Sequence, residues 1–345
     1  MNSLQRVHNT LRGQPVDRLP AQPFCMMFAA NYIGSTYVDY CRDHQRVVEG
    51  QLRLHEDFGV DALVLSTDPA RELIDMVGDD SIEWIENQGP VVNKERAFLD
   101  DPAKLKLLRV PDPLAGGRMT DRIRGVEKLR RAVGKDASVI GWIEGPVSLG
   151  SELCGINRLL ENTLLEPQFV ADVFDFAVEV EVAFARAQLD AGADTIGMGE
   201  SATCLCSPAL YREMLLPRQK RIFEAIRRSH PQAILRFHCC GNTTHLLEHI
   251  AMLPVDIIEL DYLVDLKHAR SHIRQQTISG NVSTVETLLT GTPDDVYAAA
   301  SKCHQAVGAR YIVGSGCDVA PMTPHDNLRA LIRFAQDHQP IVSTT

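Results

Sequence analysis

Eight short apolar runs, separated by longer stretches of helical pattern, leave this chain few ways to fold. The runs cover residues 19–28, 60–66, 138–143, 194–198, 233–239, 255–260, 277–282 and 310–314. Each is bounded by polar residues or glycine and is short enough to be a buried strand. Between them, residues 167–191 carry Val170, Val173, Phe174, Ala177, Val178, Val182 and Ala185 at helical spacing and stop at Gly192. Residues 208–228 open with Ser207 as N-cap and Pro208 at the first helical position, and Thr323-Pro324 repeats that opening for the last helix. Strands alternating with helices mean a parallel sheet, and eight such units favour an α/β fold of the closed (β/α)8 barrel type. A doubly wound open sheet is the competing arrangement, but no G-x-G-x-x-G follows the first run.

Too many residues lie between 66 and 138 for one helix. Within them, 81–92 (SIEWIENQGPVV) reads as a hairpin with a Gly-Pro turn. The expectation is an insertion between strands two and three at the barrel mouth, part of a lid or a docking surface. Residues before the first run form an N-terminal extension. No low-complexity tract or linker divides the chain, so residues 1–345 read as a single domain.

The charge balance excludes some partners. With 35 Lys+Arg against 45 Asp+Glu the formal net charge is −10, which disfavours nucleic acid and anionic membranes. No apolar run approaches the roughly 20 residues of a bilayer span. The first residues, MNSLQRVHNTLRGQPVDRLP, lack the basic-then-apolar order of a signal peptide. A cytoplasmic protein is expected, with its nine cysteines reduced and most of them packed as small hydrophobes.

In a barrel of this type the chemistry sits at the C-terminal strand ends. Those ends carry Asp68, Glu144, Glu200, His238-Cys239-Cys240, Glu259 and Asp261, Asn281, and Cys317-Asp318. Alternation along a strand puts His238 and Cys240 on one side and Cys239 on the other. Cys317, from the last strand, can bring a second thiolate across the mouth. One imidazole and two thiolates suit Zn²⁺ and leave a fourth position open. The residue types alone equally allow a histidine bonded to a backbone carbonyl beside two packed thiols.

The sequence resembles the uroporphyrinogen decarboxylase superfamily, and within it the zinc-dependent methyltransferases that take methyl groups from a corrinoid protein. The resemblance spans nearly the whole chain. It rests on Gly13, Asp17, Arg18 and Pro20 (G-x-x-x-D-R-x-P), on Ser207, Pro208 and Tyr211 (S-P-x-x-Y), and on His238 to Asn242 (H-x-C-G-N). It continues through Gly280-Asn281 and Gly316-Cys317 with Thr323-Pro324. It implies His238, Cys240 and Cys317 as zinc ligands, and it places the family's acidic residue at the end of strand six on Asp261. Asp261 is therefore expected as fourth ligand, with Glu259 as second choice. It also implies methyl transfer from a methylated corrinoid (methylcobalamin) protein to a small-molecule acceptor, either a thiol such as coenzyme M or tetrahydrofolate. The corrinoid-binding D-x-H-x-x-G is absent from the chain, so the corrinoid is expected on a separate partner.

Decarboxylation of uroporphyrinogen is the rival activity on this fold. A substrate with many carboxylates calls for guanidinium groups in the pocket. Residues 19–41 contain neither Arg nor Lys, and Asp68, Glu144 and Glu200 would make the rim acidic. Two further readings are a purely structural zinc and zinc-water hydrolysis with Glu200 or Glu259 as base. Asp68, Glu144, Glu200 and Asn281 are taken as candidate substrate-binding residues, although the three carboxylates could instead hold loops at the mouth. Cys204 and Cys206 are expected to pack beneath the following helix, and His245, His249, His268 and His272 to lie on solvated helix faces.

Overall fold

The computed structural model describes residues 1–93 and 96–341. Its main sheet has seven parallel strands, β1 (Ala62–Val64), β4 (Ser138–Glu144), β5 (Thr195–Glu200), β6 (Ile234–Cys239), β7 (Ile257–Leu260), β8 (Thr277–Ser279) and β9 (Tyr311–Ile312), each beside its predecessor. A small hairpin, β2 (Ile82–Glu83) and β3 (Val91–Val92), lies between β1 and β4 as the sequence predicts, with Pro90 directly before β3. The guanidiniums of Arg42 (4.4 Å) and Arg118 (5.3 Å) lie over the ring of Trp84, just beyond β2. These stacks tie the hairpin to the barrel.

The first apolar run closes the ring without becoming a full strand. Ala21 makes one parallel bridge to Val313, and the Asp61 N–H donates to the Ala21 carbonyl at 2.8 Å. Pro20 and Pro23 have no N–H to extend a ladder, so the expected strand over 19–28 shrinks to this bridge. Met27 and Phe28 belong instead to a helix, Met27–Tyr32. The fold is thus a (β/α)8-type barrel whose eighth position is nearly bare backbone.

The interior is filled in layers. At the N-terminal end, Val7 from the leading helix Ser3–Leu11 meets Ile234, Ile257 and Ile312. Arg6 grips Asp17 through two hydrogen bonds of 2.8 Å, and Arg18 does the same for Asp61 at 2.8 and 3.0 Å. The Asp17-Arg18 pair of the sequence motif therefore builds the barrel floor. One step higher, Arg236, Glu259, Gln22 and Ser279 form a polar layer. Phe24, Ala62, Val64, Ile140 and Trp142 pack the β1–β4 side. The indole fits because β5 offers Gly197 and Gly199 there; a Cβ on either would come within 2.4 and 2.9 Å of it.

Outside the barrel, the long helix Pro167–Asp190 forms as its spacing predicts. Ser207 caps the next helix by accepting the Leu210 N–H at 3.2 Å. That helix then widens into a π turn over Tyr211–Leu215 before resuming as Leu216–Ser229. Pro217 has no N–H for the carbonyl one turn back, which accounts for the widening. The last helix, His325–Asp337, starts after Pro324, and the Thr323 hydroxyl does not cap it. No helix among the described residues is long and apolar enough to cross a membrane.

Candidate metal centre

β6 ends with its inward side chains in the order Ile234, Arg236, His238, and Cys240 follows on the same side. The register confirms the alternation: His238 stands beside Gly199 and Glu259, whereas Cys239 stands beside Glu200 and Leu260. Cys317 reaches the same spot from the loop after β9. Its neighbour Gly316 is needed for that approach, because a Cβ there would lie 2.4 Å from the Tyr262 backbone nitrogen.

The three side chains converge. His238 Nε2 lies 3.2 Å from Cys240 Sγ and 4.0 Å from Cys317 Sγ, and the two sulfurs are 3.6 Å apart. Ligands on a tetrahedral zinc, with Zn–S of about 2.3 Å and Zn–N of about 2.0–2.1 Å, sit roughly 3.5–3.8 Å from one another. The observed separations of 3.2, 3.6 and 4.0 Å bracket that spacing, and N, S, S is a donor set that zinc accepts. His238 is buried and the two thiols are half-buried, so one side of the triangle opens toward the mouth.

The three groups shift one another's protonation. A hydrogen bond from Cys240 holds the Cys317 thiol down to about 5, against burial, with the His238 ring helping. The same hydrogen bond, together with burial, pushes Cys240 up. Burial works to lower His238, but the Cys317 sulfur and the Glu259 carboxylate outweigh it and raise it. Metal binding displaces the protons of thiol and imidazole ligands such as these.

Asp261 lies outside this triangle. Its two carboxylate oxygens accept the backbone N–H groups of Gly241 (2.8 Å) and Leu263 (3.0 Å). It therefore ties down the loop that follows Cys240. Glu259 accepts from Arg236, which donates from Nε at 3.0 Å and also from Nη2.

The four candidate substrate residues are likewise engaged within the protein. Glu200 shares the outer side of β5 and β6 with Cys239, away from His238. It accepts the Ser148 N–H (3.1 Å) at the start of helix Pro146–Cys154 and the Gln219 amide (2.8 Å). Burial pushes it up to about 7. Glu144 pairs with Arg71 at 3.0 Å, and Asp68 accepts two bonds of 2.7 Å from Arg118. Burial works against the Asp68 charge, but Arg118 and Arg71 hold it well below the usual carboxylate range. Asn281 donates to the carbonyls of Asp261 (2.9 Å) and Val264 (2.7 Å), pinning the loop after β7. These four positions serve the frame of the mouth.

Of the remaining candidates, Cys206 is buried and Cys204 half-buried, as packing predicts. His268 and His272 are exposed and touch edge to face, His245 is exposed, and His249 packs on Tyr211. A second group, Asp43, His44 and Asp121, also gathers three possible ligands. There, Asp43 caps a helix, and Asp121 is paired with His44 and with the Arg122 cation. Phe24 (5.8 Å) and Trp142 (6.4 Å), which pack together against the His238 ring, and Arg236 beneath it escape sequence reasoning. The signal for Arg236 was its place two residues before His238, one inward position deeper in the same strand.

Comparison with known proteins gives the family and the fold. The family described as uroporphyrinogen decarboxylase (URO-D) matches residues 2–338. The chain is 29% identical to a methylcobamide:CoM methyltransferase, MtbA, of Methanosarcina mazei, over 97% of this chain and 98% of the relative. It is 28% identical to a uroporphyrinogen decarboxylase of Parasynechococcus marenigrum, over 80% and 78% respectively. Among solved structures, a methyltransferase from Methanosarcina mazei superposes with a TM-score of 0.86 at 24% identity, covering 98% of both chains.

Proposed function

The chain belongs to the uroporphyrinogen decarboxylase family, and from that premise we propose that it is a zinc-dependent methyltransferase moving a methyl group from a methylated corrinoid protein to a thiol. The convergence of His238, Cys240 and Cys317 within 4.0 Å carries the proposal. Decarboxylation gives these three residues no task. The buried Arg71 and Arg236 and the half-buried Arg118 are each paired with a carboxylate, which leaves them poorly suited to a polyanionic tetrapyrrole.

His238, Cys240 and Cys317 would hold the zinc, whose contribution is to keep an acceptor thiol deprotonated and nucleophilic at neutral pH. Packing of the buried His238 ring against the neighbouring Phe24 and Trp142 rings restricts its orientation. Asp261, through the Gly241 amide, sets the path of the chain at Cys240. The half-buried sulfurs face the mouth, where an acceptor can be lined up with an incoming carbon–cobalt bond. In the transfer the acceptor sulfur forms a bond to the methyl carbon. The carbon–cobalt pair stays on cobalt, so methyl-Co(III) becomes Co(I), and the thiol proton leaves to solvent. The loops after β5, β7 and β9 expose Leu205, Tyr262, Leu263 and Met322, an apolar rim suited to a bulky donor presented by a partner protein.

The test is to mix the zinc-loaded protein with methylcobalamin and a series of thiols and to follow formation of Co(I) by its absorbance. Thiol-dependent demethylation is expected, faster with a methylated corrinoid protein, and no CO₂ from uroporphyrinogen. Decarboxylation without demethylation would overturn the proposal. Tetrahydrofolate in place of the thiol decides between the two acceptor classes.

A further inference from the structure

We infer that Glu259 is a positioning residue for the metal centre, accepting the Nδ1–H of His238 and thereby presenting Nε2 to the metal. The inference rests on the reading of His238, Cys240 and Cys317 as zinc ligands. Glu259 and His238 are direct partners across β6 and β7, both pointing into the barrel and both buried. Glu259 Oε2 lies 3.5 Å from His238 Nδ1, the nitrogen turned away from the thiols. That nitrogen is buried and makes no hydrogen bond, so the carboxylate is the acceptor within reach when the ring settles on a cation.

The carboxylate is itself held in place. Arg236 takes both of its oxygens, and the same guanidinium donates to Gln22 at 2.8 Å and lies 3.4 Å from Ser279 Oγ. The line Gln22–Arg236–Glu259–His238 thus anchors the ligand nitrogen to three separate walls of the barrel. It also explains why Glu259 does not swing to the metal as a ligand, since leaving Arg236 would strand a buried cation. Arg236 and Glu259 together add no net charge, so the layer orients His238 without altering the charge of the site.

A simpler role for Glu259 would be as the counter-ion of Arg236 and nothing more. The two roles separate when both charges are removed together. Arg236→Met/Glu259→Leu replaces the pair with uncharged side chains of similar bulk, whereas either single change leaves a buried charge alone and endangers the fold. The stripped protein is titrated with zinc against a chromophoric chelator, and its melting temperature is recorded beside the wild type. The expected result is a folded double variant that binds zinc about 10- to 100-fold more weakly. In Arg236→Met/Glu259→Gln an amide oxygen can again accept from Nδ1–H, and part of that loss should be recovered. Wild-type zinc affinity in the Met/Leu variant overturns the role given to Glu259 and leaves the zinc site standing. Failure of the wild type itself to take up zinc overturns the site reading, and this inference with it.

Discussion

Two sides of the barrel mouth carry equally suggestive residues and use them in opposite ways. On the β1–β4 side, Asp68, Arg71, Glu72, Glu144, Arg118 and Glu181 are all buried or nearly so, and they answer one another in ion pairs and hydrogen bonds. On the β6–β9 side, His238, Cys240 and Cys317 have mainly each other, at distances a metal would span. A strand-end position makes a residue a candidate for chemistry. Whether its bonding capacity is already consumed by the protein decides if it can act on anything else.

The sharpest way to break this contrast is to remove one thiolate. Cys240→Ser or Cys317→Ser should weaken zinc binding by more than the roughly 100-fold that loss of a supporting neighbour costs, with activity falling in step. Cys239→Ser should leave zinc content unchanged, since its sulfur lies on the outer side of the strand with Glu200. Metal analysis of the three purified variants checks both statements.

The acidic side predicts the reverse pattern. Arg71→Met takes the cation from beside Glu72 and Glu144 and should destabilise the fold by roughly 3–5 kcal/mol in urea unfolding. Zinc affinity measured on the folded fraction should stay at the wild-type value. A large loss of zinc affinity there would show that the two sides are one site.

Glu200 gives a pH signature. Burial raises its carboxyl from 4.5 to about 7 in the folded state, so the native protein holds a proton that the unfolded chain has released. That contribution to stability is complete below about pH 4.5 and is lost as the pH rises through about 7. Glu200→Gln keeps hydrogen-bonding groups at that position and should flatten this part of the stability–pH curve, gaining most above pH 7. Denaturant midpoints across pH 4.5–8.5 measure it. The smallest effect is expected from Asp261→Ala, which loosens the Gly241 amide but removes no ligand; zinc affinity should fall by less than about tenfold.

Much of this was legible in the chain, because periodicity and side-chain type report directly on strands and soft metal ligands. Seven of the eight apolar runs are strands, the hairpin at residues 82–92 follows from its Gly-Pro turn, and the opposite sides of Cys239 and Cys240 follow from alternation. Residues 19–28 misled because apolar character alone does not say that Pro20 and Pro23 withhold ladder donors. The acidic candidates misled for another reason. Glu144 and Asp68 read as open rim carboxylates, but Arg71 and Arg118 arrive from helices that begin three and fifty residues beyond Asp68. Asp261 shows the same limit, since its partners are backbone amides that no sequence pattern marks. Arg236 was hidden because a buried arginine in a barrel core has meaning only once Glu259 is seen beside it.

X-ray absorption at the zinc edge, recorded before and after addition of the acceptor thiol, tests the central claim most directly. The resting protein should show one nitrogen and two sulfurs, the sulfurs at about 2.3 Å. Adding the thiol should raise the sulfur count from two to three, with His238 still bound. A zinc shell that contains no sulfur, or one that is unchanged by a thiol at saturating concentration, would contradict the account.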